Sequence, residues 1–206
     1  MNNNIDEAET GEDIQVDQGA QREKEMVRSL MAAGFPAYVG KRSFTSASLG
    51  SGTAVDNLVG RLRDDGWASR FVAEGQCMEF AGISNAERAF WFAARSLVAR
   101  GVTVRAFSAP ALVRSLARGD DDMELWERIE SAQVLALWGV TNSSPDVDAA
   151  WSGAEREEFE MFVRSMFRRG KAVLLCGAIN SKKSPRFSDE LNLRIAERTT
   201  FTPTIS

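Results

Sequence analysis

The apolar residues of this chain fall into short continuous runs that alternate with longer stretches of helical spacing. Four apolar runs predict buried strands at Cys77–Ala81, Val102–Phe107, Val134–Trp138 and Ala172–Cys176. Apolar residues at three- and four-residue spacing predict helices between and after them, over Ala86–Arg100, Pro110–Arg118, a segment after Asp120–Asp122, a segment after Ser152, and about Ser188–Glu197. A last edge strand is predicted at Thr199–Thr204. This alternation predicts an α/β domain whose parallel sheet is covered by helices on both faces.

The first fifty residues have a different pattern. Residues 1–20 hold six acidic residues, no basic one and few apolar ones, which predicts a disordered acidic tail. Residues 21–50 predict a helix over Gln21–Ala33, stopped by Gly34, and then a wrapping segment without a regular period. The methionine-containing stripe of this helix either packs on the domain or docks a partner. Residues 51–206 are the predicted α/β domain, which opens with a helix at Thr53.

Composition narrows the class of protein. With 206 residues, 44% apolar and 26% charged, the chain fits one globular domain with extensions. We expect a cytoplasmic protein, because no apolar run is long enough to span a bilayer and the polar start is no signal peptide. The net charge is −4, so the chain beyond residue 20 carries about +2, which neither favours nor excludes nucleic acid.

Histidine and cysteine usage restricts the chemistry further. The chain has no histidine, which excludes histidine general bases and most zinc sites. Its two cysteines, Cys77 and Cys176, lie in strand-like runs. We therefore expect buried thiols rather than a disulfide, and no metal site.

The segment after the first predicted strand stands where a parallel α/β protein carries a phosphate-binding loop. Such a loop needs glycines for close backbone approach, a lysine for the phosphates and a hydroxyl for magnesium. Here Gly82 is the single glycine, and Glu87 and Arg88 occupy the lysine and hydroxyl positions. Ser84, followed by Asn85, has capping-box spacing to Glu87, which would satisfy the helix amides internally. The alternative is a well-capped helix in an unrelated fold.

Two further elements of nucleotide chemistry are replaced. The third strand ends in Trp138 and Gly139, where acidic residues would hold magnesium and polarise water. The fourth strand is followed by Gly177 and Ala178 instead of a polar residue that senses the γ-phosphate. These changes predict a degenerate nucleotide site with no catalytic residue and no bound cofactor. We expect Trp138 to fill the vacant magnesium pocket, and the other tryptophans to lie in the core.

Four segments, in this order and spacing, resemble the DnaC/IstB-like group of AAA+ ATPases, which are bacterial helicase loaders and transposition helpers. The segments are Gly34–Phe44, Ala99–Val113, Ile129–Leu137 and Leu193–Phe201. The resemblance implies a three-layer core with a five-stranded parallel sheet in the order 5-1-4-3-2. It also implies oligomers that act in DNA replication or transposition.

Two groups of basic residues are candidates for binding. Arg194 and Arg198 match the closing segment in which the family places an arginine finger and a second phosphate-facing arginine, so they are candidates for completing a neighbour's site. Candidates for DNA contact flank the fourth strand; these are Arg168, Arg169, Lys171, Lys182, Lys183 and Arg186. The alternative for both groups is that they are solvated surface residues.

These observations lead to a functional hypothesis. We expect a catalytically inactive, loader-like AAA+ domain that acts as an assembly or regulatory module in DNA replication, recombination or mobile-element function. Its expected partner is a protein, such as an active AAA+ ATPase, a helicase or a transposase, with DNA as a second partner and no membrane. Homo- and hetero-oligomers are both open. The alternatives are a divergent ATPase that binds nucleotide through backbone amides and Arg88, and a purely structural interaction module.

Overall fold

The computed structural model describes residues 11–41, 49, 53–80, 86–118, 122–140, 152–177 and 187–201. In chain order the elements are α1 (Gly11–Ala32), α2 (Ala37–Lys41), α3 (Thr53–Arg63), α4 (Trp67–Ala73), β1 (Cys77–Phe80), α5 (Ala86–Ala99), β2 (Val104–Ser108), α6 (Ala109–Ala117), α7 (Met123–Ser131), β3 (Val134–Trp138), α8 (Gly153–Arg168), β4 (Ala172–Cys176), α9 (Asp189–Arg198) and β5 (Thr199–Phe201).

The centre of the fold is a parallel sheet. Four strands pair in regular register in the order β2-β3-β4-β1, with Val104 opposite Val134, Val134 opposite Ala172, and Cys77 opposite Val173. This part of the sheet agrees with the expected class and with the expected order 1-4-3-2. The segment β5 extends the order beyond β1, but it has three residues and its pairing shifts register between Cys77 and Met78. The expected fifth strand is therefore a short irregular edge segment that ends at Phe201.

Both faces of the sheet are buried, because neighbouring strand residues point to opposite sides. Met78, Ala106 and Leu174 belong to a core that residues of α1 to α5 complete. Cys77, Leu135 and Leu175 belong to a second core, completed by residues of α6 to α9. The layers are therefore helix, sheet and helix, as the alternating pattern predicted.

Helix α8 forms where the sequence indicated. The predicted capping box is confirmed, since Ser152 Oγ accepts from the Glu155 amide at 3.1 Å and the Ser152 amide donates to Glu155 Oε2 at 2.7 Å. The apolar stripe that this cap starts is buried in the second core; its members are Phe159, Phe162, Val163, Met166 and Phe167.

The N-terminal region departs from the prediction. Helix α1 begins at Gly11 rather than at Gln21, so residues 11–20 of the expected tail are helical, and residues 1–10 lie outside the described residues. Acidic residues in an early turn are compatible with a helix, because they interact favourably with its positive end. In the expected apolar stripe, Leu30 is buried but Met31 is 47% exposed. The short helix α2 lies within the segment expected to be irregular.

Two smaller corrections concern a helix and a tryptophan. Helix α4 was not predicted, because it has only seven residues. Trp126 was expected to point inward but is 37% exposed, whereas Trp67 and Trp91 are buried as expected. Trp151 lies outside the described residues. None of the described helices is long and apolar enough to cross a membrane.

The segment after α1, Ala33 and Gly34, is hydrogen-bonded to the edge strand β2 of the sheet. The Ala33 carbonyl accepts a hydrogen bond from the Ala106 amide of β2 at 2.7 Å, and Gly34 turns the chain with a φ of 88°. A Cβ on Gly34 would lie 2.5 Å from the Ala106 carbonyl oxygen. Glycine is therefore needed both for its backbone angle and for its lack of a side chain.

We expect Gly34→Ala to destabilise the fold more than Gly101→Ala. Both glycines have positive φ, but Gly101 has no atom within 4 Å of an added Cβ. Gly101→Ala should cost about 1–2 kcal/mol of unfolding free energy from backbone strain alone. Gly34→Ala should cost roughly 1–3 kcal/mol more, since the backbone of β2 must also move. Urea denaturation measures both, and equal losses would contradict the close approach.

Candidate functional site

The candidate site lies at the carboxyl edge of the sheet, where β1, β3 and β4 end. The Gly177 amide donates to the Phe80 carbonyl at 2.9 Å, and the Val140 amide donates to the Cys176 carbonyl at 3.1 Å, so the three strand ends are tied together. Helix α5 follows β1 and begins at Ala86. Ligands of open parallel α/β sheets bind at this edge. The site predicted from the sequence falls at this edge, and its residues Gly82, Ser84 and Asn85 lie outside the described residues.

Glu87 is held in the first turn of α5 by two donors from different parts of the chain. Its Oε1 accepts a hydrogen bond from the Tyr38 hydroxyl on α2 and another from Trp91 Nε1 at 3.1 Å. The positive end of a helix favours a carboxylate in this position. Glu87 was expected to return to the Ser84 amide, but that partner lies outside the described residues. The contact with Tyr38 joins the N-terminal segment to the site and was not predicted.

Tyr38 remains a donor at neutral pH. Its pKa is raised to about 12, first by burial and then by the hydrogen bond and negative charge of Glu87. The phenol therefore keeps its proton and supplies it to the carboxylate.

The two cysteines of the sheet are free thiols. Burial raises the pKa of Cys176 to about 12, with a smaller contribution from the charge of Glu87, and burial also raises the pKa of Cys77 to about 12. Because the thiolate is the reactive form, neither side chain is a nucleophile at neutral pH.

Aromatic rings fill the space beside Glu87. Trp91 packs against Trp138, at the end of β3, with ring centroids 6.1 Å apart, and against Phe35 at 5.1 Å. Trp138 is half-buried, and its Nε1 is buried without an acceptor among the described residues. Gly139 follows with a φ of 71°, and an added Cβ there would lie 3.6 Å from Pro110 Cδ. The end of β3 thus presents an indole next to α5, in the position expected for magnesium-binding acids.

The described residues contain no cluster of three or more histidine, cysteine, aspartate or glutamate side chains that could hold a metal ion. Arg88, which follows Glu87 among the predicted site residues, is exposed in the first turn of α5. A buried carboxylate that the sequence reading overlooked is Glu79 of β1, which is 1% exposed. The feature of the sequence that could have revealed it is a single charged residue inside the otherwise apolar run Cys77–Phe80.

The arginines of the closing segment lie at the opposite, amino edge of the sheet. Arg198 Nη1 donates to the Gly75 carbonyl at 3.0 Å, and its guanidinium lies 5.2 Å from the Phe167 ring centroid. Arg198 therefore ties α9 to the chain just before β1. Arg194 is exposed and forms an ion pair with Glu197 at 3.3 Å. Of the two candidates for contacting another molecule, Arg194 is the one with a solvent-facing guanidinium.

The candidates for DNA contact separate into three groups. Arg169 pairs with Glu130, and Lys171 Nζ donates to the Glu130 and Ala132 carbonyls at 2.6 Å each, so both serve the packing of α7. Desolvation, followed by the charge of Arg169, lowers the pKa of Lys171. Arg168 is exposed. The remaining three candidates, Lys182, Lys183 and Arg186, lie outside the described residues.

The fold is similar to those of three solved structures: the DnaC helicase loader, DnaI and DnaA. The DnaC helicase loader has a TM-score of 0.56 at 14% identity, over 76% of this chain and 92% of that chain. DnaI has a TM-score of 0.51 at 17% identity, over 82% and 92% of the two chains. DnaA from Aquifex aeolicus, bound to AMPPCP, has a TM-score of 0.54 at 17% identity over 79% of this chain, which spans only 50% of that one.

At these identities the likeness shows the fold alone, and at that level it confirms the expected resemblance to DnaC-like AAA+ proteins. The comparison with protein-family models finds no match. The comparison with curated proteins finds none either.

The contact between Tyr38 and Glu87 predicts an unusual alkaline titration. Tyr38 is the sole tyrosine of the chain, so tyrosinate absorbance reports this group alone. We expect a midpoint near pH 12 in the folded protein. In urea-unfolded protein it should fall near the ordinary value of about 10. Glu87→Gln should lower the folded midpoint, because it removes the neighbouring negative charge.

The raised pKa of Tyr38 also determines how the stability of the fold changes with pH. Since the folded state holds the Tyr38 proton more tightly, the stabilisation is complete below about pH 10 and is lost as the pH rises towards 12. Tyr38→Phe should remove this part of the pH dependence. A folded midpoint equal to the unfolded one would contradict the contact.

Proposed function

We propose that this chain is a helicase-loader-like AAA+ domain that does not turn over ATP. It acts instead as an assembly or regulatory module in DNA replication, recombination or mobile-element function. The observation that carries the proposal is the Glu87 carboxylate, held at the positive end of α5 by Tyr38 and Trp91. An AAA+ protein that binds nucleotide needs this helix end for the phosphates.

A comparison of the charge repulsion with the backbone hydrogen bonds supports a loss of nucleotide binding. Two like charges 4 Å apart near a protein surface repel by about 4 kcal/mol. A hydrogen bond from a backbone amide contributes only about 0.5–1.5 kcal/mol net. A few such bonds from the loop would therefore be offset by the repulsion between Glu87 and a phosphate. The residues that normally compensate, a loop lysine and magnesium-binding acids, are replaced by Glu87, Trp138 and Gly139.

The proposed role in assembly has two supports. One is the likeness of fold to the DnaC helicase loader and to DnaI over most of their length. The other is that Arg194 keeps an exposed guanidinium on α9. An inactive subunit that retains such a group can contribute a positive charge to an active neighbour.

We expect no thermal stabilisation by Mg-ATP. A ligand present at 100 times its dissociation constant stabilises the folded state by about 2.7 kcal/mol. For a domain of this size that corresponds to a rise in melting temperature of roughly 5–10 °C. The measurement is differential scanning fluorimetry across a millimolar range of nucleotide, with no shift expected.

The alternative of a divergent ATPase predicts the opposite result. It requires a nucleotide-dependent shift, and ATP turnover, that both disappear in Arg88→Ala. Either result would overturn the proposed inactivity. Arg156→Ala, an exposed arginine on α8, serves as the matched control because it lies in the other helix layer.

The assembly role is tested by capture of partners from the native host, followed by reconstitution. Recovery of a helicase, an active AAA+ ATPase or a transposase whose turnover changes when this chain is added would support the proposal. Arg194→Ala should reduce that change, and Arg156→Ala should not. A chain that alters no turnover of the captured partner would favour the purely structural module.

A further inference from the structure

A cavity between α8 and α9 collects four arginine side chains. Its volume is about 280 Å³, and its lining consists of Arg164, Phe167, Arg168, Glu190, Arg194 and Arg198. This is close to the lower end of the range for small-molecule pockets, about 300 Å³. The cavity lies at the amino edge of the sheet, because α8 leads into β4 and α9 leads directly into β5. It is therefore separate from the degenerate site at the carboxyl edge.

The charges around the cavity do not cancel locally. Arg164 offers no free charge, since it pairs with two carboxylates, Glu160 at 3.1 Å and Glu190, the one carboxylate of the lining, at 3.1 Å. The surplus therefore comes from the other three arginines of the lining. Arg198 is fixed by the Gly75 carbonyl and the Phe167 ring, neither of which carries a charge. Its positive charge therefore remains available to a ligand.

The two outer arginines are available for binding. Arg168 is exposed and has no acceptor among the residues that the structure describes. Arg194 pairs with Glu197, but both side chains are at least half exposed. Exposed ion pairs of this kind contribute little and are screened by salt. Arg194 can therefore turn to a ligand at small cost.

We infer that this cavity, the α8–α9 pocket, is a binding site for phosphate groups. A terminal phosphate presents three acceptor oxygens and up to two negative charges, and successive phosphodiesters of a nucleic-acid strand present one charge each, so either can satisfy several guanidiniums at once. A single carboxylate offers one charge and two oxygens. Arg168 and Arg194 are the primary contacts, and Arg198 lies at the base beside Phe167. The phosphate belongs either to a small phosphorylated molecule or to the backbone of single-stranded nucleic acid.

The pocket uses neither Glu87 nor the end of β3, so it does not depend on the proposed loss of ATP turnover, but it shares Arg194 with the proposed assembly role. Binding of the probes to the isolated chain tests the pocket without any partner, so its failure is distinguishable from a failure of the assembly role. The pocket also explains why only part of the basic group before β4 is available to a ligand. Arg169 and Lys171 face α7, whereas Arg168 turns to the other side of α8 and meets the arginines of α9.

Binding is measured with two probes on the full chain at low salt. Inorganic pyrophosphate is titrated by calorimetry, and a fluorescent oligothymidylate of about 15 nucleotides, within the usual range of site sizes, is titrated by anisotropy. We expect Arg168→Glu/Arg194→Glu to weaken binding at least tenfold. Arg156→Glu, on the same helix but about 18 Å away along its axis, should bind within twofold of wild type.

The salt dependence tests the contacts themselves. Each phosphate contact on a single strand contributes about 0.7 to the slope of log K against log salt concentration. The double variant should therefore lower the slope by about 1.4, whereas Arg156→Glu leaves it unchanged. Because Arg168 and Arg194 are exposed, circular dichroism and melting curves should show that the double variant is folded.

A gain of binding provides a second test. Glu190→Gln removes the one carboxylate of the lining, so both probes should bind severalfold more tightly. Pyrophosphate binding without oligonucleotide binding assigns the pocket to small phosphorylated molecules. Oligonucleotide binding that pyrophosphate displaces assigns it to nucleic acid.

Three results would overturn the inference. One is the absence of binding of either probe at low salt, and the second is an equal loss in Arg156→Glu. The third is displacement by polyglutamate as effective as displacement by pyrophosphate, which would identify a surface for acidic protein segments.

Discussion

Burial of both faces of a parallel sheet is the constraint on which the rest of this structure depends. Each strand contributes alternate side chains to two separate cores, one formed with α1 to α5 and the other with α6 to α9. Polar side chains inside such a sheet are costly unless they have partners. Among the described strand residues, Glu79 is the one buried charged side chain. Chemistry is therefore confined to the two edges where strands begin and end.

The described residues place different side chains at the two edges. At the carboxyl edge, a helix end that suits an anion holds the chain's own carboxylate, and aromatic rings of Trp91 and Trp138 lie beside it. At the amino edge, four arginines line an open cavity. A nucleotide-binding AAA+ protein needs positive charge at the first edge. The proposed phosphate site and the candidate site around Glu87 are therefore on different parts of the molecule.

Sequence patterns predicted the sheet and its helices well where the local signals were strong. The strands β3 and β4 begin and end at the predicted residues, and the Ser152 cap starts α8 as expected. Weak signals gave the errors. The acidic residues before Gln21 suggested a disordered tail, but residues 11–20 are helical. Helix α4 is too short for a clear period, and Trp126 lies on an exposed helix face. In each case the outcome depends on the surface that packs against the segment, which local composition and hydrophobicity do not specify.

The sequence by itself determined the fold class and the residue types at the candidate site, because these depend on residue identity and on spacing along the chain. Only the tertiary structure decided which side chains meet. Tyr38 reaches Glu87 across 49 positions, and Arg164 and Arg168 meet Arg194 and Arg198 from another helix. The same packing engages Arg169 and Lys171 with α7 and leaves Arg168 exposed. Such contacts depend on how helices pack across the sheet, and periodicity along one segment carries no information about the distance to another.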